Sequence, residues 1–256
     1  VLIYNRALNS SEMLQNYNYY VNKMAIAAIG NAKDYPAPSG VAIKQVNPYA
    51  QTGWYWLSVG GTTSQFWIDM DYDGGGWVLV INNRAGNNGM SNLTYVNATT
   101  QNINSTGSYG TASGDYTPAN FNLWAGLTAW KNIADTTAGS NTVVMFVSTA
   151  YKTLADINNH TKRARFTWTG WSGTYAWQGG ASYTNEVGST TAGLWSYHIA
   201  NGYSLSTYDV DQDTYGINCS SLYNNNPWWY GACWDGNFLA GGAGYQDAPY
   251  WSYSTV

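Results

Sequence analysis

Apolar residues along this chain come in short runs and alternations, separated by stretches of Asn, Gly, Ser and Thr. That pattern predicts short strands, few helices and long loops. Val1 to Tyr4 is a compact apolar run and reads as a strand. Asn9 with Glu12 three residues later, ahead of Met13, Leu14 and Tyr17, has the spacing of a capping box and opens a short helix within residues 1–20. From Met24 to about Val46 the text thins into small residues with Pro36, Pro38 and Gly40, which reads as a linker. Gln51 to Trp67 alternates aromatic and small residues and predicts two short strands, and Trp77 to Ile81 is a continuous apolar run fit for a buried strand. Residues 82–118 read as long irregular loops. Phe121 to Ile133, with apolar residues at 123, 124, 127, 130 and 133, predicts a helix. Thr142 to Val147 and parts of Arg163 to Trp171 predict strands, and the Trp-rich block from Trp168 to Trp177 suits core packing better than ligand stacking.

One stretch combines chemistry with pattern, Leu205 to Gly242. Asp209, Asp211 and Asp213 alternate in a segment without helical period. On one face of a strand their repulsion would be costly without a cation; in a loop, two carboxylates with nearby carbonyls make the hard oxygen cage that suits Ca²⁺. The glycine and glutamate positions of an EF-hand are missing. Spacing alone leaves two readings, a cation loop and an acidic surface turn. The two cysteines of the chain, Cys219 and Cys233, also lie here. They are either a pair, which would stabilise by roughly 3 kcal/mol through loop entropy, or two free thiols. Zinc would need further thiolates or imidazoles, and the chain's histidines, His160 and His198, are both distant in sequence.

Composition narrows the function classes. Charged residues are 9% of the 256, against about 25% in an average domain, while aromatics reach 16% with 14 Trp and 23 Tyr. Such a surface is solvated by neutral hydrogen-bonding groups, as proteins that meet sugars often are. A net charge of -4 argues against nucleic acid, whose phosphates demand a basic footprint. Lys162, Arg163 and Arg165 are the densest basic spot and read as a solvated strand edge. No apolar run approaches the roughly 20 residues of a membrane-spanning helix. Catalysis finds no support: neither histidine sits in a nucleophile motif, and nothing singles out a carboxylate pair such as Glu186 with Asp235 or Asp247 for glycoside hydrolysis. The expectation is a protein that is not an enzyme.

Ser206-Thr207-Tyr208-Asp209, then Asp211, Asp213, Asn218-Cys219, Trp228-Trp229-Tyr230 and Cys233, resembles the C-terminal half of a fibrinogen-related domain. Gly53-Trp54-Tyr55, Phe66-Trp67-Ile68-Asp69-Met70 and Asp73-Gly74-Gly75-Gly76-Trp77 resemble that family's first half, and the two motifs stand in the right order. The resemblance covers roughly residues 46 to 256. It implies a calcium site on the side chains of Asp211 and Asp213 with carbonyls near Tyr215 and Ile217, Asp209 being a supporting acceptor of backbone N–H groups. It also implies a ligand pocket beside the calcium loop, around a cis peptide before the second cysteine, here Ala232-Cys233. An acetyl group would enter there, held by N–H groups near Cys233 and Trp234, between walls from Trp229, Tyr230, Tyr245, Asp247, Ala248 and Tyr250. Departures are visible: Trp234 replaces the family's usual His, Ile68 replaces a Cys, and the family's Asn-Leu-Asn-Gly run survives loosely as Asn237-Phe238-Leu239-Ala240-Gly241.

Tyr4-Asn5-Arg6-Ala7-Leu8 with the helix after it resembles the closing strand and helix of a laminin-G-like or concanavalin-like sandwich. The chain thus reads as α+β: a strand-helix remnant of a β-sandwich at 1–23, a linker at 24–45, and a fibrinogen C-terminal-like domain at 46–256 with mixed or antiparallel sheets, few short helices and long loops. The expected function is a calcium-dependent lectin or adhesin, cofactor Ca²⁺, whose partner is an acetylated glycan or polysaccharide on a surface. It is expected to be extracellular, on a virion or cell surface, without nucleic acid or membrane insertion, and compatible with a homo-oligomer. The combination looks similar to phage tail fibres and microbial adhesins. A structural virion or filament subunit, with the acidic loop only stapling the fold, is the competing class.

Overall fold

The computed structural model describes residues 7–82, 92–100, 123–137, 142–148, 162–179, 183–187, 202–233, 250–251 and 254–255. The expected strand at Val1 to Tyr4 lies outside them, as does most of the loop region 82–118.

Helix α1 spans Ser10–Ala27. Its start is the capping box: Asn9 N–H donates to Glu12 Oε2 at 3.0 Å, and Glu12 N–H donates to Asn9 Oδ1 at 2.9 Å. The helix runs further than expected, past residue 20 and into the stretch read as linker. The rest of that stretch is not a free connection either. Ala37 pairs in parallel with Leu57, and Ser39 caps the short helix α2, Gly40–Val46. Ala37 and Ile43 are 0% and 2% exposed, so prolines and small residues here mark tight packing against a sheet.

That sheet holds β1 (Gly53–Val59), β2 (Thr62–Asp69) and β3 (Trp77–Val78), all antiparallel. Tyr55, Leu57, Val59, Phe66 and Ile68 point inward, and the alternation read from the sequence is this inner face. The Asp-Gly-Gly-Gly-Trp turn after β2 depends on glycine at Gly75, where φ is 77° and an added Cβ would lie 2.3 Å from Met70 O. The run Trp77 to Ile81 is not one buried strand. It leaves the first sheet after Val78 and joins a second as β4 (Ile81–Asn82), half-buried throughout. The hand-over is written in two bonds, Leu79 N–H to Trp67 O at 3.0 Å and Ala125 N–H to Val80 O at 3.0 Å.

Helix α3 (Tyr95–Thr99) is capped by Thr94. The helix expected over 121–133 begins later: Leu123–Trp124 is strand β5, paired with β4, and α4 spans Leu127–Thr137. Gly126 at φ 90° separates them, and its carbonyl takes the N–H of Trp130 at 3.1 Å. The five apolar positions that carried the expectation are nevertheless all buried. Beyond come β6 (Thr142–Ser148), β7 (Lys162–Trp168), β8 (Gly170–Trp171), β9 (Trp177–Gln178) and β10 (Tyr183–Val187), in a three-stranded sheet ordered β10-β7-β6 and a β8-β9 pair. Helix α5 (Cys219–Leu222) and the pair β11 (Tyr250–Trp251) with β12 (Ser254–Thr255) complete the described elements.

Two apolar clusters form the core. One lies under the β1-β2-β3 sheet and takes Leu123, Ala129 and Ile133 from β5 and α4. The other is built on tryptophan: Trp124, Trp130, Trp168, Trp177, Trp228 and Trp229, with Leu205, Tyr230 and both cysteines. Helix α4 reaches both, which joins the front of the fold to the acidic segment.

Candidate metal and ligand site

The segment 202–233 is held by side-chain bonds more than by regular structure. Ser206 and Trp228 exchange both backbone bonds, at 2.9 and 3.1 Å, a two-residue antiparallel bridge that brings the two ends of the acidic loop together. Gln212 N–H donates to Ser206 Oγ and its Nε2 to Leu205 O, at 2.9 and 2.7 Å. Asn218 Nδ2 donates to Thr207 O at 2.9 Å, while its Oδ1 caps α5 by accepting Ser221 N–H at 3.0 Å. Ser206, Gln212 and Asn218 thus all bond to backbone groups of the loop, so its shape is set by its own side chains.

Within this frame the three aspartates have different tasks. Asp209 faces outward from the turn: its Oδ1 accepts Tyr95 N–H at 2.9 Å and Thr207 Oγ1–H at 2.7 Å. It therefore ties the loop to the first residue of α3, an acceptor of backbone N–H. Asp211 Oδ1 accepts Asp213 N–H at 3.2 Å, and Asp213 Oδ1 accepts Tyr215 N–H at 2.9 Å. Two successive turns of this Asx kind curl the backbone around both carboxylates. Asp213 Oδ2 accepts Cys219 N–H at 2.8 Å, which couples the acidic loop to a cysteine. Burial, and after it the neighbouring Asp211 charge, hold the Asp213 carboxyl above the ordinary aspartate range, with the N–H bonds from Cys219 and Tyr215 opposing.

Tyr215 and Ile217 are exposed at 51% and 61%, on the outer wall of the same turn. Among the described residues no cluster of three or more His, Cys, Asp or Glu is present. A cation here would be held by two carboxylates and backbone carbonyls, all hard oxygens, which fits Ca²⁺ or Mg²⁺ and not a softer metal. Each Asp213 oxygen keeps a lone pair beyond its N–H bond, so the donor set has room for an ion.

Cys219 and Cys233 form a disulfide with Cα atoms 5.1 Å apart. On the far side of it, Gly231 O accepts Thr214 N–H at 3.0 Å. The residue just before the peptide expected to receive a ligand, Ala232-Cys233, is thus bonded directly to the acidic loop. Ala232 is exposed between buried Gly231 and Cys233. Its bond to Cys233 is trans, since no described peptide bond is cis; Cys233 meets the tight turn with φ 75° instead. Two expected pocket walls are in the core. Trp229 and Tyr230 are 0% exposed, Trp229 donating to Tyr175 O at 2.7 Å and stacking on Trp171, Tyr230 donating to Asn226 O at 3.0 Å. Their rings face the core, where the Ser206–Trp228 bridge turns the Trp-Trp-Tyr run inward. Trp234, Tyr245, Asp247 and Ala248 lie outside the described residues, and Tyr250 is described only as backbone in β11. Sequence reading missed Thr214, Tyr95 and Gly231, whose parts are played by backbone atoms that leave no residue-type signal.

The model of the C-terminal globular domain of fibrinogen beta and gamma chains matches residues 45–252. The chain belongs to that family. Human angiopoietin-related protein 6 is 27% identical over 246 residues, 85% of this chain and 44% of the relative. Fibrinogen-like protein A of Apostichopus parvimensis is 40% identical over 76 residues, 28% of this chain and 25% of that protein. The chain spans less than half the length of these curated relatives. Among solved structures, the fibrinogen-like globe domain of human ANGPTL6 matches 85% of this chain and 88% of its own, at TM-score 0.56 and 24% identity. Lamprey fibrin D-dimer, complexed with a Gly-His-Arg-Pro-amide peptide, matches 94% of this chain and 80% of its own, at TM-score 0.60 and 14% identity. This fibrinogen-family domain keeps the fold's small antiparallel sheets and short helices and carries one disulfide among its described residues, with no free cysteine among them. No described helix is long and apolar enough to cross a membrane.

Proposed function

We propose that this domain is a calcium-dependent carbohydrate-binding module, a lectin or adhesin that recognises acetylated glycans at a surface. The observation that carries the reading is the bonded continuity of the site. Asp213 accepts from the N–H of Cys219, Cys219 is joined to Cys233, and Thr214 donates to Gly231 O beside exposed Ala232. Calcium at Asp211 and Asp213, with carbonyls of Tyr215 and Ile217, would fix the recognition peptide before any ligand arrives, so little affinity is lost to ordering. The neutral, aromatic-rich composition suits a sugar more than a charged partner. The disulfide fits an oxidising compartment, and we place the protein outside the cell on that ground.

The lamprey fibrin structure is titled with a peptide ligand, so a peptide is the competing ligand class, and a structural subunit with a calcium-stapled loop is the competing role. Titration calorimetry separates them. With calcium saturating, the lectin reading expects N-acetylglucosamine or N-acetylgalactosamine to bind, and glucose and galactose not to. Binding of neither acetylated sugar while calcium still raises the melting temperature would favour the structural role.

A further inference from the structure

Gly231 is buried although the next residue, Ala232, is exposed. The ring of Tyr203 lies over it. A Cβ added at Gly231 would stand 2.5 Å from Cε2, 2.7 Å from Cζ and 3.0 Å from Cδ2 of that ring. One edge of the phenol therefore rests against the glycine on the side where any other residue carries its side chain. Tyr203 itself is half-buried, so part of the residue stays open to solvent. Its backbone is fixed on both sides: Gly202 turns at φ 69°, Ser204 Oγ lies 2.7 Å from Thr174 Oγ1, and Leu205 N–H donates to Thr174 O at 3.3 Å. Of the aromatic rings that the sequence offered as pocket walls, Trp229 and Tyr230 have no exposed surface, and Tyr245 and Tyr250 have no described side chain. Tyr203 is a partly exposed aromatic residue against Gly231, the residue before the Ala232-Cys233 peptide, and glycine at 231 is what lets its ring approach.

We propose that Tyr203 is a specificity-determining residue of the recognition site, whose ring packs on the apolar face of a sugar held at the Ala232-Cys233 peptide. The inference rests on the glycan-binding reading above. An aromatic face offers the C–H side of a pyranose a flat apolar surface. Because the ring rests against Gly231 and the residues after it are tied to Thr174, stacking costs little further ordering. The preference it confers is for sugars presenting an unbroken apolar face next to the acetamido group.

The test uses the whole chain with calcium, and immobilised N-acetylglucosamine and N-acetylgalactosamine as probes. Tyr203→Leu keeps an apolar cover over Gly231 but removes the aromatic face; binding should weaken about tenfold, while Tyr203→Phe stays within about threefold of the parent. Calcium affinity should be unchanged in both. Gly231→Ala, which drives a methyl into the ring, should weaken sugar binding as Leu does. In the parent protein, NMR should show contacts between Tyr203 ring protons and sugar ring protons, a readout that does not depend on any variant folding. If Tyr203→Leu binds like the parent, or those contacts are missing from a bound sugar, Tyr203 is only a cover and the inference falls while the lectin reading stands. If the parent binds neither sugar, both fall, and that outcome is recognisable before any variant is made.

Discussion

At Asp213 both carboxylate oxygens already accept backbone N–H groups, from Tyr215 and from Cys219. Asp213→Ala should therefore remove calcium binding and also destabilise the ion-free fold by about 2 kcal/mol, since two N–H groups lose a charged acceptor. Asp211→Ala should remove calcium binding with a smaller effect on the ion-free melting temperature, because Asp211 is exposed and accepts one described bond. Calcium titration with thermal unfolding separates the two. Asp209→Ala should leave calcium affinity near the parent value and lower stability by about 1 kcal/mol through the lost Tyr95 and Thr207 bonds. The pH dependence follows from the raised Asp213 carboxyl. A folded-state pKa above the unfolded value means the proton stabilises the ion-free fold at low pH, and that contribution is lost as pH rises through the carboxylate range. Calcium competes with the same proton. The rise in melting temperature on adding calcium should thus grow as pH is raised from about 4 to about 7, read by calorimetry at fixed ionic strength.

At the scale of elements, the disulfide and the Ser206–Trp228 bridge close the segment that carries the site. Both cysteines are buried, 0% and 5% exposed. Replacing the pair by serine should cost about 3 kcal/mol, and sugar binding should weaken more than calcium binding, since Cys233 belongs to the peptide proposed to hold the sugar. Elements that rest on local chemistry were legible in the sequence: the Asn9–Glu12 capping box and the alternating hairpin of β1 and β2. Elements that rest on a change of partner were not. The apolar run from Trp77 to Ile81 has no sequence mark at the point where it passes from β2 to β5. The glycine at 126 sits among helix-compatible residues, and only its φ of 90° shows that it ends a strand and starts a helix. Within the site, the acidic spacing and the cysteine pair were readable, because side chains carry them. The Thr214–Gly231 bond and the Asp209–Tyr95 bond were not, because one joins two backbones and the other spans 114 residues. The Trp-Trp-Tyr run misled for a related reason: its burial is decided by the bridge at Trp228, not by composition.

For the molecule as a whole, membership of the fibrinogen family was carried by two ordered motifs, and the α+β architecture followed from them. The tryptophan-rich cluster buries six of the 14 tryptophans without any ligand, so composition by itself was a weaker sign of sugar binding than it looked. What remains specific is the bonded chain from the acidic loop to the peptide proposed to receive the sugar. The measurement that tests it most directly is a glycan array probed with the intact protein in calcium and again after chelation. The expected result is binding to N-acetylated sugars that is lost on chelation and absent from the Asp211→Ala, Asp213→Ala double variant. Equal binding with and without calcium, by both the parent and the double variant, would contradict the account, because the acidic loop would then have no hold on the site.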